Sequence, residues 1–257
     1  MSWLARLFER KPSVEVQLAD ALVAWQAGEY GVALDLWAPL AHDGVGRAQS
    51  NMGAAFLEGR GVERNPDTAV AWLRRAADQG DAGGQRNLAL CYYEGWGVAQ
   101  DQNEAAKWYE KAALQGDADA QDMLSWMKLV GGGCTQDYAD ARRWAEMAAA
   151  QGRAGAMARL GDIYHNALGV ERDPVRSAEW WGRAARLGMA EAQAMLGAAY
   201  LAGKGVTRDP QEALHWLLRA EAGGAGELAA GFLREAEAHA KPSQRAEAAR
   251  RAAEPLS

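Results

Sequence analysis

Five tryptophans of this 257-residue chain share one spacing, since each lies 36 residues after the one before it. They are Trp72, Trp108, Trp144, Trp180 and Trp216. With 11 tryptophans in the whole chain, chance does not produce this regularity. A period of this length indicates that one supersecondary unit is repeated, and that each unit buries its apolar face only by stacking on its neighbours.

Two further sets of residues follow the same interval. An apolar residue and a small residue stand side by side at Met52 and Gly53, Leu88 and Ala89, Leu124 and Ser125, Leu160 and Gly161, and Leu196 and Gly197. A glycine recurs at Gly80, Gly116, Gly152, Gly188 and Gly224. The chain is therefore predicted to be an array of one repeated unit.

The first half of a unit predicts a helix followed by a reversal of the chain. Leu196, Gly197 and Tyr200 have the i, i+1, i+4 spacing of one helical face. Gly203 and Gly205 come next, and glycines allow the positive φ values that end a helix and turn the chain back. We call this first helix of a unit helix A.

The second half of a unit predicts another helix, which we call helix B. Asp209, Pro210 and Glu212 supply an N-cap acid, a proline at the first helical position and a glutamate that can complete a capping box. Trp216 lies on the apolar face of this helix, which ends toward Gly224. Each unit is thus a predicted helical hairpin, and stacked hairpins form an all-α solenoid.

The two ends of the chain depart from this unit. Residues 15–27 and 31–43 are predicted to form a shorter helical hairpin without the glycine turn, and residues 225–257 a degenerate hairpin that caps the array. Before them, residues 1–11 form an amphipathic segment with Trp3, Leu4, Leu7 and Phe8 on one helical face and Arg6, Arg10 and Lys11 off it. This segment is predicted either to pack on the first hairpin or to make a weak contact with a membrane surface.

Composition excludes several classes of function. Lys and Arg number 28 against 34 Asp and Glu, a net charge of -6, which argues against broad electrostatic binding of nucleic acid. Cys91 and Cys134 are too few for a disulfide framework and lack neighbours at metal-binding spacing, which suits a reducing compartment. No apolar run approaches the roughly 20 residues of a membrane span.

The repeated unit resembles the Sel1-like repeat, a branch of the tetratricopeptide superfamily. In the fifth unit the matching residues are Ala192, Leu196, Gly197, Tyr200, Gly203, Gly205, Val206, Asp209, Ala213, Trp216, Ala220 and Gly224. Residues 45–224 then divide into five repeats at 45–80, 81–116, 117–152, 153–188 and 189–224. Residues 1–14 are the N-terminal amphipathic segment, 15–44 resemble the shorter tetratricopeptide hairpin, and 225–257 form the cap.

The resemblance implies a right-handed α-solenoid that serves as an adaptor for partner proteins or peptides. Secreted members of the family that pair two cysteines within each repeat do not match this chain, so neither those disulfides nor the penicillin binding associated with them is expected. The third repeat departs most from the pattern, with Lys128 at an aromatic position and Cys134 at a valine position.

No constellation for catalysis, a cofactor or a metal is found in the sequence. The four histidines fall in different units and at different helical phases, and no metalloprotease, nucleophile-elbow or phosphate-loop motif occurs. The glycine turns follow helices rather than strands, so they lack the context of a dinucleotide site. We therefore predict a non-catalytic protein, and interpret the five periodic tryptophans as structural core.

Partner binding is assigned to helix-A positions that the repeat pattern leaves free, because the corresponding face lines the concave groove in tetratricopeptide-like stacks. The predicted binding residues are an apolar patch of Leu90, Tyr93, Trp126 and Leu129, flanked by Arg86, Asp122, Asp162 and His165. The alternative for the apolar members is packing against the helices of the next repeat.

The sequence thus predicts a scaffold or adaptor that binds a protein or peptide partner, and no nucleic acid. It is placed in the cytoplasm, with the inner face of the membrane as a second location through residues 1–11. An inhibitor or immunity-type protein that blocks an effector is the alternative among binding proteins. A hydrolase of β-lactams or cell-wall ligands is the alternative among enzymes, although no nucleophile and base can be named for it.

Overall fold

The computed structural model describes residues 12–256 and contains only helices as regular structure within that range. The first hairpin consists of α1 (Val14–Gln26) and α2 (Tyr30–His42). The helices A of the five repeats are α3 (Gly46–Glu58), α5 (Ala82–Glu94), α7 (Ala118–Val130), α9 (Ala154–Asn166) and α11 (Ala190–Ala202). The helices B are α4 (Pro66–Asp78), α6 (Gln102–Leu114), α8 (Tyr138–Ala150), α10 (Pro174–Arg186) and α12 (Pro210–Ala220).

The last two helices are α13 (Gly226–His239) and α14 (Pro242–Ala253), and the chain kinks between α12 and α13 at Gly224, which has a φ of 98°. Within each of the two units described next, consecutive helices pack as hairpins and hairpins pack on one another, as predicted for an all-α solenoid. The contacts divide the chain into two compact units, residues 1–120 (unit 1) and 121–257 (unit 2), and each is described by itself below.

The helices B begin where the sequence predicts, because an aspartate or asparagine caps each of them. Asp209 Oδ1 accepts hydrogen bonds from the backbone N–H groups of Gln211 and Glu212, at 2.9 and 3.1 Å. Asn65 accepts from the N–H of Thr68 at 3.0 Å in the first repeat. These bonds satisfy donors that the first turn of a helix leaves unpaired.

The two glycines of the turn between helices A and B have different structural roles. Gly95, the first glycine, ends α5 with a φ of 76°, in the left-handed region. The second glycine, Gly97, has a φ of 67° and lies so close to the carbonyl group of Pro66 that a Cβ atom would clash with it. The turn of one repeat therefore packs directly on the start of the previous helix B, which a larger residue would prevent.

Within a hairpin, a small residue on helix A faces a large residue on helix B. A Cβ atom on Gly53 would lie 2.5 Å from Cγ of Leu73, and one on Gly161 would overlap the indole of Trp181. The larger partner is thus accommodated by the missing side chain on the facing helix, as close packing requires.

The five periodic tryptophans, which the sequence analysis predicts to be core residues, differ in how deeply they are buried. Trp144 and Trp216 are buried, at 1% and 9% exposure, whereas Trp72, Trp108 and Trp180 are only half-buried at the edge of the core. The buried position of helix B is one residue later, and is occupied by Leu73, Tyr109, Ala145, Trp181 and Leu217. Where that residue is only an alanine, at Ala145, the periodic tryptophan beside it is fully buried.

The half-buried tryptophans each carry a cation over the ring. Nζ of Lys111 lies 3.6 Å from the centroid of the Trp108 ring, and the guanidinium carbon of Arg183 lies 4.2 Å from that of Trp180. Each cation stands three residues after its tryptophan, one helical turn away. These aromatic rings are therefore shielded on their outer face by cation–π contacts rather than by further core.

Buried glutamines tie neighbouring helices together, a feature that the sequence analysis did not identify. Gln49 Nε2 donates to the carbonyl oxygen of Ala41 in the preceding helix at 3.0 Å, and Gln49 Oε1 accepts from Gln79 Nε2 at 2.7 Å. The same amide pair recurs as Gln85 with Gln115 and as Gln121 with Gln151, each at 2.8 Å. In the fourth repeat both positions are apolar, as Met157 and Leu187. The glutamines supply the hydrogen bonds that a buried amide needs.

The terminal hairpins differ from the repeats in how they pack. The first one buries Trp37 with its ring centroid 5.2 Å from that of Trp25. At the other end, α14 packs back on α12, with Ala248 buried and Arg251 paired with Glu212. No helix in residues 12–256 is both long and apolar enough to span a bilayer. The amphipathic segment at residues 1–11 lies outside the described residues.

Candidate functional site

The eight residues predicted to bind a partner divide between the two units. In unit 1, Arg86, Leu90 and Tyr93 lie half-buried on α5. The Arg86 guanidinium is 2.8 Å from the Asp117 carboxylate and 3.6 Å from that of Asp119. The charge of Arg86 is therefore already matched within the protein.

Unit 1 contains an open groove of about 860 Å³ that we call the unit 1 groove. It is lined by the free face of the first helix of three successive hairpins, including Leu18 and Leu22 of α1, Ser50, Asn51 and Ala54 of α3, and Arg86 and Asn87 of α5. Ser50 and Ala54 stand 36 residues before the predicted binding residues Arg86 and Leu90, and so occupy equivalent positions of helix A. Arg86 itself lines the groove, whereas Leu90 and Tyr93 do not. Sequence reasoning missed α1 because the first hairpin does not follow the repeat, although the i, i+4 spacing of Leu18 and Leu22 signals an apolar stripe.

In unit 2, Asp122, Trp126 and Leu129 are half-buried on α7. Asp122 forms an ion pair with Arg159 of α9, so this carboxylate too has a partner within the protein. Leu129 packs against the largest hydrophobic cluster of the unit. Leu129 thus follows the alternative of packing against neighbouring helices.

Asp162 and His165 of α9 meet around the buried indole of Trp181. Asp162 Oδ1 accepts a hydrogen bond from Trp181 Nε1 at 3.0 Å, and the His165 ring centroid lies 5.1 Å from that of Trp181. Burial raises the pKa of the Asp162 carboxyl, while the Trp181 N–H and the charges of Arg159 and His165 act in the opposite direction. The structure therefore assigns Asp162 to the positioning of Trp181 rather than to an open surface.

A cavity of about 370 Å³ opens beside Trp181, and we call it the repeat-four pocket. It is lined by His165, Arg172, Pro174, Ser177, Trp181, Met195, Ala198, Ala199, Ala202, Lys204 and Phe232. Of these, the sequence analysis named only His165 as a binding residue. A comparison of the five repeats column by column would have found Ser177, which stands where the other four repeats have alanine.

The described residues show neither a group of metal ligands nor an activated thiol at Cys91. No group of three or more His, Cys, Asp or Glu residues that could hold a metal occurs between residues 12 and 256. Burial raises the pKa of the Cys91 thiol to about 11. Cys91 is therefore protonated at neutral pH and unreactive as a nucleophile.

Comparisons with known proteins agree with the geometry of stacked helical hairpins. The Sel1 repeat family model matches residues 46–81, 82–117, 118–152, 154–189 and 190–224. The crystal structure of a Sel1 repeat protein from Oxalobacter formigenes superposes with a TM-score of 0.81 at 28% identity, covering 94% of this chain and 98% of that one. No curated protein sequence matches the chain significantly.

A second solved structure is a protective antigen present in uropathogenic Escherichia coli strains, which displays the same fold. It superposes with a TM-score of 0.79 at 31% identity over 94% of this chain and 53% of that chain, so the present chain spans about half of its length. The fold defines a helical-repeat protein of the class that generally serves as an interaction scaffold. Within that class, the chain belongs to the Sel1 repeat family. Members of this family are typically non-catalytic and mediate contacts between proteins.

Proposed function

We propose that this chain is a non-catalytic scaffold that holds a peptide or a segment of a partner protein against the helix-A faces of its repeats. The unit 1 groove is the observation that carries the proposal. It is open, and it is formed by the first helices of three successive hairpins together with the turns that precede α5 and α7. Such a surface suits recognition because the stacked hairpins hold it rigidly.

The unit 1 groove combines apolar and polar groups in the manner of a peptide-binding surface. Leu22 is 47% exposed, and together with Leu18 and Ala54 it offers an apolar strip. The side-chain amides of Asn51 and Asn87 can donate to and accept from the backbone of an extended segment. In such sites apolar side chains usually supply most of the binding energy, and a few polar groups fix the orientation of the ligand.

Charges at the rim of the unit 1 groove would select the partner and its orientation. Glu15 and Arg47 line the groove beside Arg86, whose charge is balanced by Asp117. Rim charges of this kind act on specificity and association rate more than on affinity. In unit 2, the half-buried Trp126 of α7 is the proposed aromatic contact.

The test is a comparison of two double variants. Leu22→Ala with Asn51→Ala alters the unit 1 groove, and Tyr93→Ala with Trp126→Ala alters the predicted aromatic patch. Leu114→Ala removes a strongly exposed apolar side chain at the end of α6 and serves as the control. Proteins captured from the cell by each variant are identified by mass spectrometry, and the affinity of the purified partner is then measured.

We expect the partner to bind the wild type and Leu114→Ala equally, and to lose at least about tenfold in affinity with the groove variant, since truncating interface anchors typically costs more than about 1 kcal/mol each. Helicity measured by circular dichroism should be unchanged in all variants. Equal binding by every variant would contradict the proposed surface. Cytoplasmic location is part of the proposal, because a chain with only two cysteines has no disulfide framework, which suits a reducing compartment.

A further inference from the structure

Several side chains of the fourth repeat depart from the repeat pattern and lie together around the repeat-four pocket. Ser177 stands where the other repeats have Ala69, Ala105, Ala141 and Ala213. His165 stands where they have Leu57, Tyr93, Leu129 and Leu201. No other repeat has a tryptophan at the position of Trp181 or an aspartate at the position of Asp162. The pocket is therefore a local feature rather than a property of the repeated hairpin.

The wall of the repeat-four pocket is largely apolar and well supported. Trp181 is buried, and its indole is held in place by the hydrogen bond to Asp162 and the contact with His165. Met195 of α11 and Phe232 of α13 also line the cavity. At about 370 Å³ the cavity is large enough for a small ligand or for one large side chain with its neighbours.

A hydroxyl group in this wall has no partner. Ser177 is 1% exposed, and its Oγ makes no hydrogen bond to any residue of the described chain. Alanine fills the same place in the four other repeats, so packing does not require the hydroxyl. A buried polar group without a partner is unusual in a native structure, and a bound ligand would supply the missing hydrogen bond.

Two cations at the edge of the pocket are also unpaired. In four repeats, the residue equivalent to Arg172 donates to a backbone carbonyl of helix A, as Arg64, Gln100, Gln136 and Arg208 do. Arg172 makes no such bond, and neither Arg172 nor Lys204 forms an ion pair with a carboxylate among residues 12–256. No acidic residue of the described chain lines the pocket. The site is thus complementary to an anion attached to an apolar group.

We propose that the repeat-four pocket binds the C-terminus of a peptide that ends in a large apolar residue. The apolar side chain would lie against Trp181, Met195 and Phe232, and the terminal carboxylate would bind Arg172 and Lys204. Ser177 would donate its hydroxyl proton to the ligand. Arginine binds carboxylates through two parallel hydrogen bonds, which gives such a site directional specificity. This proposal names one ligand of the proposed scaffold and concerns a surface separate from the unit 1 groove.

The experiment uses the full chain and isothermal titration calorimetry. The probes are the tripeptide acetyl-Gly-Ala-Phe with a free carboxylate, the same peptide as its C-terminal amide, and 3-phenylpropanoate. We expect the free acid peptide to bind, the amide to bind at least about tenfold more weakly, and the affinity to fall with salt. Equal binding of acid and amide, or no binding of the acid peptide, would overturn the proposal. Binding of 3-phenylpropanoate without the peptide would also overturn it, and would identify a site for small free acids.

Matched variants separate the pocket from the rest of the fold. Arg172→Gln with Lys204→Gln should weaken the acid peptide at least about tenfold, since it removes both charge-assisted contacts. Ser177→Ala should weaken it less while keeping the thermal midpoint, because alanine is the residue of the other repeats. Arg64→Gln and Arg208→Gln make the same change in other repeats and should have no effect. The variant of the unit 1 groove should bind the peptide as the wild type does, so that the two proposals fail independently.

Discussion

At the scale of single residues, Ala167 occupies a backbone conformation that suits glycine. It ends α9 with a φ of 58°, where four other repeats have Gly59, Gly95, Gly131 and Gly203. The left-handed region brings Cβ close to the following carbonyl oxygen and costs roughly 1 kcal/mol. We therefore expect Ala167→Gly to raise the free energy of unfolding by about 1 kcal/mol, as measured by urea denaturation.

The control for that substitution is Ala71→Gly, in the exposed interior of α4. It should lower the free energy of unfolding by up to about 1 kcal/mol, because glycine weakens a right-handed helix. A loss of stability in both variants would show that the conformation of Ala167 carries no cost.

The repeat tryptophans should differ in what they contribute to stability. Trp144 is fully buried beside the small Ala145, so Trp144→Ala leaves a large cavity and should cost about 3–5 kcal/mol. Trp108 is half-buried next to the buried Tyr109 and under Lys111, so Trp108→Ala should cost clearly less. Thermal unfolding of the two variants measures the difference in stability. Equal decreases in Tm would show that the deeper burial of Trp144 does not make its truncation more costly.

At the scale of helices, the packing of α14 on α12 changes the environment of His215. The equivalent residues of the other repeats are exposed, whereas His215 is buried with no hydrogen-bond partner for Nδ1 in the described chain. Burial lowers its pKa, with a further contribution from the positive charge of Arg251, while Glu212 and a hydrogen bond with Ala248 act in the opposite direction. The folded state therefore prefers the neutral imidazole.

This preference predicts a specific loss of stability in mild acid. Because the pKa of His215 is lower in the folded state than in the unfolded state, its neutral form stabilises the fold fully above about pH 6.5. As the pH falls from about 6.5 toward the folded pKa, the unfolded state takes up the proton first, and stability falls by up to about 1.4 kcal/mol per pH unit. Urea denaturation between pH 7.5 and 5 should show a smaller decline for His215→Gln than for the wild type.

The control for the pH experiment is His239→Gln, which changes an exposed histidine of α13. Its stability should decline with pH in the same way as that of the wild type. If His215→Gln kept the full pH dependence, the acid sensitivity would come from other groups.

Helix positions were predictable from the sequence because they depend on local signals. The first two helices were expected at 15–27 and 31–43, and each is found one residue earlier. An aspartate at the N-cap marks the start of helix B in four repeats, and an asparagine marks it in the first repeat. Which residue of helix B lies deepest was not predictable from the period alone. A period identifies equivalent positions but not their burial, and the most regular of them, the periodic tryptophan, is buried at Trp144 and Trp216 but only half-buried in the other three repeats.

The candidate sites were predictable only in part for the same reason. The free face of helix A could be located from the repeat, and Ser50, Ala54 and Arg86 do line the unit 1 groove. The contribution of α1 and the pocket formed with Phe232 of α13 depend on terminal hairpins that do not follow the period. Tertiary packing of non-repeated segments leaves no regular signal in one sequence.

At the scale of the whole molecule, a change at one end of the array should destabilise the neighbouring repeat more than the distant ones. In a stacked array each repeat is stabilised mainly by its neighbours. Removal of residues 226–257 takes α13 and α14 away from α12 and uncovers the apolar cluster that Leu214 forms with Leu233 and Ala248. Hydrogen exchange should therefore lose protection in α11 and α12 and keep it in α3 to α6. A uniform loss across the chain would contradict this nearest-neighbour behaviour.

The paired glutamines affect how whole repeats can be gained or lost by such a chain. Both glutamines of a pair, such as Gln49 and Gln79, lie within one repeat, and the remaining contact of Gln49 is to a main-chain carbonyl that any preceding residue supplies. In the fourth repeat both members are replaced, by Met157 and Leu187, and in the fifth repeat Gln193 keeps its hydrogen bond to the carbonyl oxygen of Ala185 while Gly223 stands at the partner position. The gene segment for one repeat can thus be duplicated or deleted without leaving a buried polar group unpaired at the new junction between repeats.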